Sequence, residues 1–115
     1  MAKVKVPMDF GVENLQSPVH NNIELLVSED EVVKANSLIL SYNSSVFYDL
    51  FFKRLSTSID VTSYTKNSVD QFVKCLYSGK VTINRDSFRE LIELADMFSV
   101  DWFIEQCDNN RIYFV

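Results

Sequence analysis

The chain has little of what enzymes and metal sites are built from: one histidine, two cysteines and two glycines in 115 residues. With His20 as the sole imidazole there is no multi-histidine metal centre. Cys75 and Cys107 stand too far apart for a Cys-x-x-Cys knuckle, so a structural zinc is not expected. Gly11 and Gly79 are the only glycines, which leaves no glycine-rich loop to cradle a phosphate or a dinucleotide. A cysteine nucleophile needs a base, but Cys107 falls in a helical pattern and His20 in a loop beside Pro18. The carboxylates Glu29 and Asp30 fall in a turn pattern, where they read as solvated charge. The inventory points to a protein without catalysis, cofactor or metal.

Concentrated positive charge is also missing. Eleven Lys and Arg stand against sixteen Asp and Glu, the net charge is −5, and no basic cluster exceeds Lys53-Arg54. A phosphate backbone is held by several grouped cations, so direct binding to nucleic acid is not expected. No apolar run reaches the length of a membrane span, and MAKVKVPMDF has none long enough for a signal peptide. The expected location is cytoplasmic or nuclear, and the cysteines are expected to be reduced, buried or half-buried thiols. Asn43-Ser44-Ser45 formally matches a glycosylation acceptor but reads better as a helix cap. A single domain of this length buries about two thirds of the surface its unfolded chain exposes, so no disulfide framework is required.

What the chain does have is a dense apolar pattern whose period changes. Ile23 to Val27 is apolar at nearly every position, as in a central strand buried on both faces. Ser28-Glu29-Asp30 fits a tight turn into a second strand, Glu31 to Ala35. Leu38, Ile39 and Leu40 form one apolar turn; after the polar break at residues 43–45, Val46, Phe47, Leu50 and Phe51 form another at helical spacing. Ser58 to Thr62 alternates as a third strand. Ser68 with Gln71, and Ser87 with Glu90, have the spacing of capping boxes ahead of apolar helical stripes. Gly79 ends the first of these helices, and Asp101 is placed to cap a last helix through Trp102, Phe103 and Cys107. At the amino end, Val4 and Val6 fit a short edge strand and Phe10, Val12 and Leu15 one helical turn; a frayed terminus is the plainer alternative. The tail Ile112 to Val115 is apolar, and an added strand at a sheet edge, a partner's included, accounts for it. The expected class is α+β, mainly α, with about three main strands flanked by about five helices.

Four of these segments also carry a resemblance. Lys34, Ala35, Leu40, Ser44, Phe47, Leu50 and Phe51 fit the pattern F-K-A-H-[RK]-x-V-L-A-x-x-S-x-x-F with its trailing Leu or Met and Phe. Asn22 to Val27 resembles an opening D-V-x-F-x-V strand, Val73 to Val81 an F-L-x-Y-[IV]-Y-[TS]-G element, and Leu91 to Phe98 an L-L-x-A-A-D-x-[FY] helix. In this order they resemble the BTB/POZ domain, over most of residues 20 to 110. The whole chain, 1–115, then reads as one such domain, with an amino-terminal dimerisation segment at 1–21 and a core at 22–110.

The resemblance implies a protein-interaction module that forms a homodimer. Carried over by position, the dimer candidates are Phe10, Val12, Leu15, Ser37, Leu38 and Ser41. Leu38 is equally readable as part of the chain's own core. Asn22 and Ser37 occupy positions where transcription-factor members keep an Asp facing an Arg or Lys, a charged pocket that is degenerate here. Losing both charges together leaves no unpaired buried ion, which would be costly. It argues against corepressor recognition through such a pocket. The resemblance also implies a candidate cullin contact at Phe51, Leu55, Ser56 and Thr57, where adaptor members carry a hydrophobic-x-Glu motif and this chain has Thr57 instead of the acid. The implied functions are an adaptor or scaffold, with substrate adaptor of a cullin-RING ubiquitin ligase as the specific role, or the oligomerisation domain of a transcription regulator or chromatin architectural protein. Nine Phe, five Tyr and one Trp exceed what a small core needs, so some aromatic surface is expected to face a partner.

Overall fold

A computed structural model describes residues 21–109 and 112–114. The first helical turn expected at Phe10, Val12 and Leu15, and the strand at Val4 and Val6, lie outside the described residues. The chain begins with β1 (Ile23–Leu26) and β2 (Val32–Ala35), antiparallel with Ile23 opposite Ala35 and Leu26 opposite Val32. Their connection closes with the Val27 amide donating to the Glu31 carbonyl at 3.0 Å, and it places both Glu29 and Asp30 at positive φ. β3 (Ser58–Asp60) joins the other side of β1 in parallel, giving the order β2-β1-β3.

β1 is therefore central in hydrogen bonding, but it is not buried on both faces as its composition suggested. Ile23, Leu25 and Val27 are buried while Glu24 is exposed, because helices cover one face of the sheet only. Glu24 is the residue that could have corrected the expectation.

Between β2 and β3 lie α1 (Ser37–Asn43) and α2 (Ser45–Tyr48), the latter continued by a π turn over Asp49–Lys53. Asn36 caps α1: its side-chain oxygen accepts from the amides of Leu38 at 2.9 Å and Ile39 at 3.2 Å. Ser44 caps α2 as expected, accepting from the Phe47 amide at 3.0 Å while its hydroxyl donates to the Phe98 carbonyl. One serine thus starts a helix and ties it to a segment fifty-four residues away.

The second half is α3 (Lys66–Ser78), β4 (Val81–Ile83), α4 (Phe88–Met97), α5 (Asp101–Asp108) and β5 (Ile112–Phe114). Gly79 ends α3 at φ 75°, the left-handed geometry that costs Gly least. Three expected caps are corrected. α3 starts at Lys66, two residues before Ser68, and its cap is Thr65, whose hydroxyl accepts from the Ser68 amide at 3.2 Å. Ser87 makes no capping bond; it is already turned into a 3-10 helix over Arg85–Ser87, and its hydroxyl instead accepts from Asn67 and Gln71 of α3, each at 3.4 Å. Asp101 is the first residue of α5, after Val100, and makes no cap bond.

A second, two-stranded sheet was not read from the sequence. β4 pairs in parallel with β5, Val81 opposite Ile112 and Ile83 opposite Phe114, so the apolar tail is used within its own chain.

The core between sheet and helices is mainly aliphatic, with a cluster of aromatic rings at its centre. Phe47 stacks on Phe98 at 4.1 Å and on Phe51 at 5.6 Å, and Phe72 meets Phe103 at 6.0 Å. Such pairs add about 0.5–1.5 kcal/mol each beyond the area they bury. Among the described residues no helix is long and apolar enough to cross a membrane.

Candidate interaction surfaces

Among the described residues, five of the six large exposed hydrophobic side chains come from residues 36–57, and their display starts with how that segment is anchored. Asn43, only 8% exposed, donates to the carbonyls of Ile39 at 2.8 Å and Leu76 at 3.2 Å, and accepts from the Trp102 indole N–H at 2.8 Å. One amide side chain thereby joins α1, α3 and α5. The Asn36 amide donates to the Tyr77 hydroxyl at 3.1 Å, and Leu40, Phe47 and Phe51 fill the core beneath.

With the inner side fixed, the outer side is set by helical geometry. Leu38 is 68% exposed, which removes it from the chain's own core. Tyr42, four residues on, is half exposed on the same face. Ser41 lies between buried and exposed, and its buried hydroxyl oxygen has no hydrogen-bond partner among the described residues. Further along, Tyr48 and Phe52 project outward four residues apart, their rings 5.4 Å from one another. Both stand outside the apolar stripe Val46, Phe47, Leu50, Phe51, and that offset was the available signal that they are surface residues.

Ser37 is not on this outer face. It is buried, its amide donating to the Asn22 carbonyl oxygen at 2.8 Å and its hydroxyl accepting from the Asn22 amide nitrogen at 2.9 Å. The two residues read as a degenerate charged pocket are thus one neutral, reciprocal hydrogen-bonded pair. It holds the start of α1 against the start of β1 without the desolvation cost of ions.

The candidate cullin residues separate. Phe51 is 5% exposed and belongs to the core. Leu55 is 76% exposed and adopts φ 56°, a left-handed conformation that costs a non-glycine residue about 1–2 kcal/mol. It is held there from both sides, by the Ser56 amide donating to the Leu50 carbonyl at 2.9 Å and the Glu24 amide donating to the Thr57 carbonyl at 3.0 Å. Thr57 is exposed. The π turn widens the end of the helix just before this loop.

Two concavities accompany these surfaces. A groove of about 460 Å³ lies between the end of α1, the start of α2 and the start of α5, with Tyr42, Tyr48, Asp101 and Trp102 in its lining. A smaller polar one, about 350 Å³, adjoins Asn22, Lys34 and Thr57. Neither brings a nucleophile to a base. Burial pushes the Cys75 thiol up to about 11 and raises that of Cys107, so both thiols are weak nucleophiles near neutrality. No group of three or more potential metal ligands occurs among the described residues.

A sheet of order β2-β1-β3 with helices on one face and an outward-facing α1 is the fold on which the family match falls. The BTB/POZ domain family model matches residues 14–114. The chain belongs to the BTB/POZ family. As a BTB domain it is a protein–protein interaction module. It is 25% identical over 85 residues to the BTB and MATH domain-containing protein 39 of Caenorhabditis briggsae, an alignment covering 72% of this chain. The match spans about a quarter of that relative's length, 25%. The fold is also that of the BTB domain of zebrafish PATZ1, with a TM-score of 0.65 over 77% of this chain and 73% of that one, at 20% identity.

Proposed function

We propose that this BTB domain forms a homodimer and serves as an adaptor or scaffold, with substrate adaptor of a cullin-RING ubiquitin ligase as its specific role. The observation that carries the reading is Leu38, an apolar side chain 68% exposed on the helix that resembles the family's dimer seam. A second copy laid against it removes that surface from water. With Ser41 beside it and Phe10, Val12 and Leu15 contributed by the amino-terminal segment, a two-fold interface of ordinary size buries about 1,600 Å².

Leu55 supports the adaptor role. Its apolar side chain is held out into solvent by a backbone conformation that a free loop would avoid, which is how an anchor for a partner's pocket is presented. Phe51 acts from beneath, by fixing the helix that carries the loop. The Caenorhabditis briggsae relative combines a BTB with a MATH domain, an arrangement that suits an adaptor whose other domain selects cargo. This chain works without direct nucleic-acid or membrane contact, in the cytoplasm or nucleus.

One observation favours a second reading. Thr57 offers no carboxylate where adaptor members place an acid, so a domain that only oligomerises, as in a transcription regulator or a chromatin architectural protein, is the rival. Calorimetric titration with a cullin amino-terminal domain separates them. Binding at micromolar concentration that Leu55→Asp abolishes without changing the particle mass is the expected result. No heat at tens of micromolar contradicts the adaptor role and leaves the oligomerisation reading.

A further inference from the structure

We propose that Ser28, in the turn between β1 and β2, is a phosphorylation site for an acid-directed protein kinase, and that its phosphate is received by the start of α3. Ser28 is followed by Glu29, Asp30 and Glu31, the one place in the sequence where acidic residues stand side by side. A kinase whose substrate groove is lined with Lys and Arg selects a hydroxyl by the carboxylates that follow it, because each pairs with a cation of the groove. Two other hydroxyl residues have an acid three positions on, Thr57 before Asp60 and Ser87 before Glu90. Neither has an acid in between, and Ser87 is buried.

The fold displays this sequence at a tip. Glu29, Asp30 and Glu31 are exposed and Ser28 is half-buried, its hydroxyl without a hydrogen-bond partner among the described residues. Glu29 and Asp30 take φ of 61° and 59°, the left-handed region that residues with a β-carbon avoid, so unbending the turn into the extended form a kinase groove holds relieves strain. Three backbone bonds oppose that unbending: the Ser28 amide to the Tyr64 carbonyl at 2.9 Å, the Val27 amide to the Glu31 carbonyl at 3.0 Å and the Glu31 amide to the Ser28 carbonyl at 3.3 Å. The first of them also brings Ser28 against Tyr64, two residues before α3 begins at Lys66. The Lys66 ammonium is held charged chiefly by Asp70 at 3.0 Å and in smaller part by Glu31, which sets it beside the turn. A phosphate on Ser28 therefore meets a lysine and the positive end of a helix of 13 residues, and both favour it over the hydroxyl.

In the step itself the Ser28 Oγ attacks the γ-phosphorus of ATP, the bond from that phosphorus to the β,γ-bridging oxygen breaks, ADP leaves, and the hydroxyl proton passes to the base of the kinase. The test incubates the folded 115-residue chain with a casein-type acid-directed kinase and magnesium ATP, and maps the product by mass spectrometry. One phosphate on Ser28 is the expected result, with none on Ser28→Ala and none from an arginine-directed kinase. Glu31→Gln is expected to slow incorporation about tenfold, since it removes one charge-assisted contact to the groove. The phosphorylated chain should melt about 2–4 °C above the unmodified one, a rise that Lys66→Ala removes. Ser28→Ala, which breaks no hydrogen bond, should melt with the native chain. No phosphate on the folded chain overturns the proposal, as does phosphate that appears only after unfolding or that maps to Thr57 or Ser87. A melting point unchanged or lowered by the modification overturns its reception by α3.

Discussion

The inward and outward sides of residues 36–55 both carry large apolar side chains, with opposite fates. Inward, Leu40 and Phe47 are fully buried, Phe51 nearly so, and the buried polar side chains are tied in: Asn43 with Ile39, Leu76 and Trp102, Ser44 with Phe47 and Phe98. Outward, Leu38, Tyr42, Tyr48, Phe52 and Leu55 are exposed, and among these the resolved ring contact is between Tyr48 and Phe52. Apolarity alone does not distinguish core from contact surface. The inward set is stabilised by the fold, whereas the outward set stays in contact with water unless something else covers it.

The sharpest way to break this contrast is to truncate one ring from each side. Phe47→Ala removes a fully buried ring stacked on two others and is expected to cost about 3–5 kcal/mol in urea unfolding. Tyr48→Ala, one residue along, is expected to change stability by no more than about 0.5 kcal/mol. Equal losses would show that the outer side belongs to the core after all.

The cysteines extend the comparison to pH. Cys75 is buried and its thiol is pushed from the ordinary 9.0 up to about 11, chiefly by burial. The folded chain then holds that proton more tightly than the unfolded chain, so the stability from the buried thiol is complete below about pH 9 and is lost as pH climbs towards 11. Denaturation measured across this window should show about 2–3 kcal/mol more loss in the native chain than in Cys75→Ala. Parallel slopes for the two proteins would remove Cys75 from the account. Half-buried Cys107, raised also by burial and by Asp108, should react with a thiol reagent well before Cys75.

Asn43→Ala tests the polar half of the inner side. It strands the Ile39 and Leu76 carbonyls and the Trp102 indole, with an expected cost of about 1–3 kcal/mol and a displaced indole resonance. Smaller than these losses, and opposite in sign, is the effect of Leu55→Gly. Glycine accepts φ 56° without the strain of a β-carbon, so stability should rise by about 0.5–1 kcal/mol, while the proposed cullin contact should be lost. A loss of stability would mean that Leu55 packs on its own chain.

Element types were legible where a single period dominated. The stripes behind Val46, Phe72 and Phe88 fixed three helices, and Ser44 and Gly79 marked ends that the backbone uses as expected, one as a cap and one at positive φ. The failures share a cause: a residue suited to one local role was taken by a tertiary one. Ser87 has the spacing of a capping box but accepts from α3, and Ile23 to Val27 has the composition of a doubly covered strand in a sheet with one covered face. β4 was missed because three residues beside Gly79 have no period of their own and acquire a strand only through β5. The candidate sites were legible as positions rather than as environments. Sequence order pointed to Ser37, Leu38 and Phe51 alike, and only packing separates the hydrogen-bonded Ser37 and the core Phe51 from the exposed Leu38.

The claim on which the rest depends is that the outward side of α1 is covered by a second copy of the chain. Sedimentation equilibrium of the native chain beside Leu38→Asp tests it most directly. The native chain should sediment as two 13.3 kDa polypeptides at micromolar concentration, and Leu38→Asp as one, with unchanged unfolding of the monomer. A native chain that stays a single 13.3 kDa particle at every concentration would contradict the claim, as would a dimer indifferent to the aspartate.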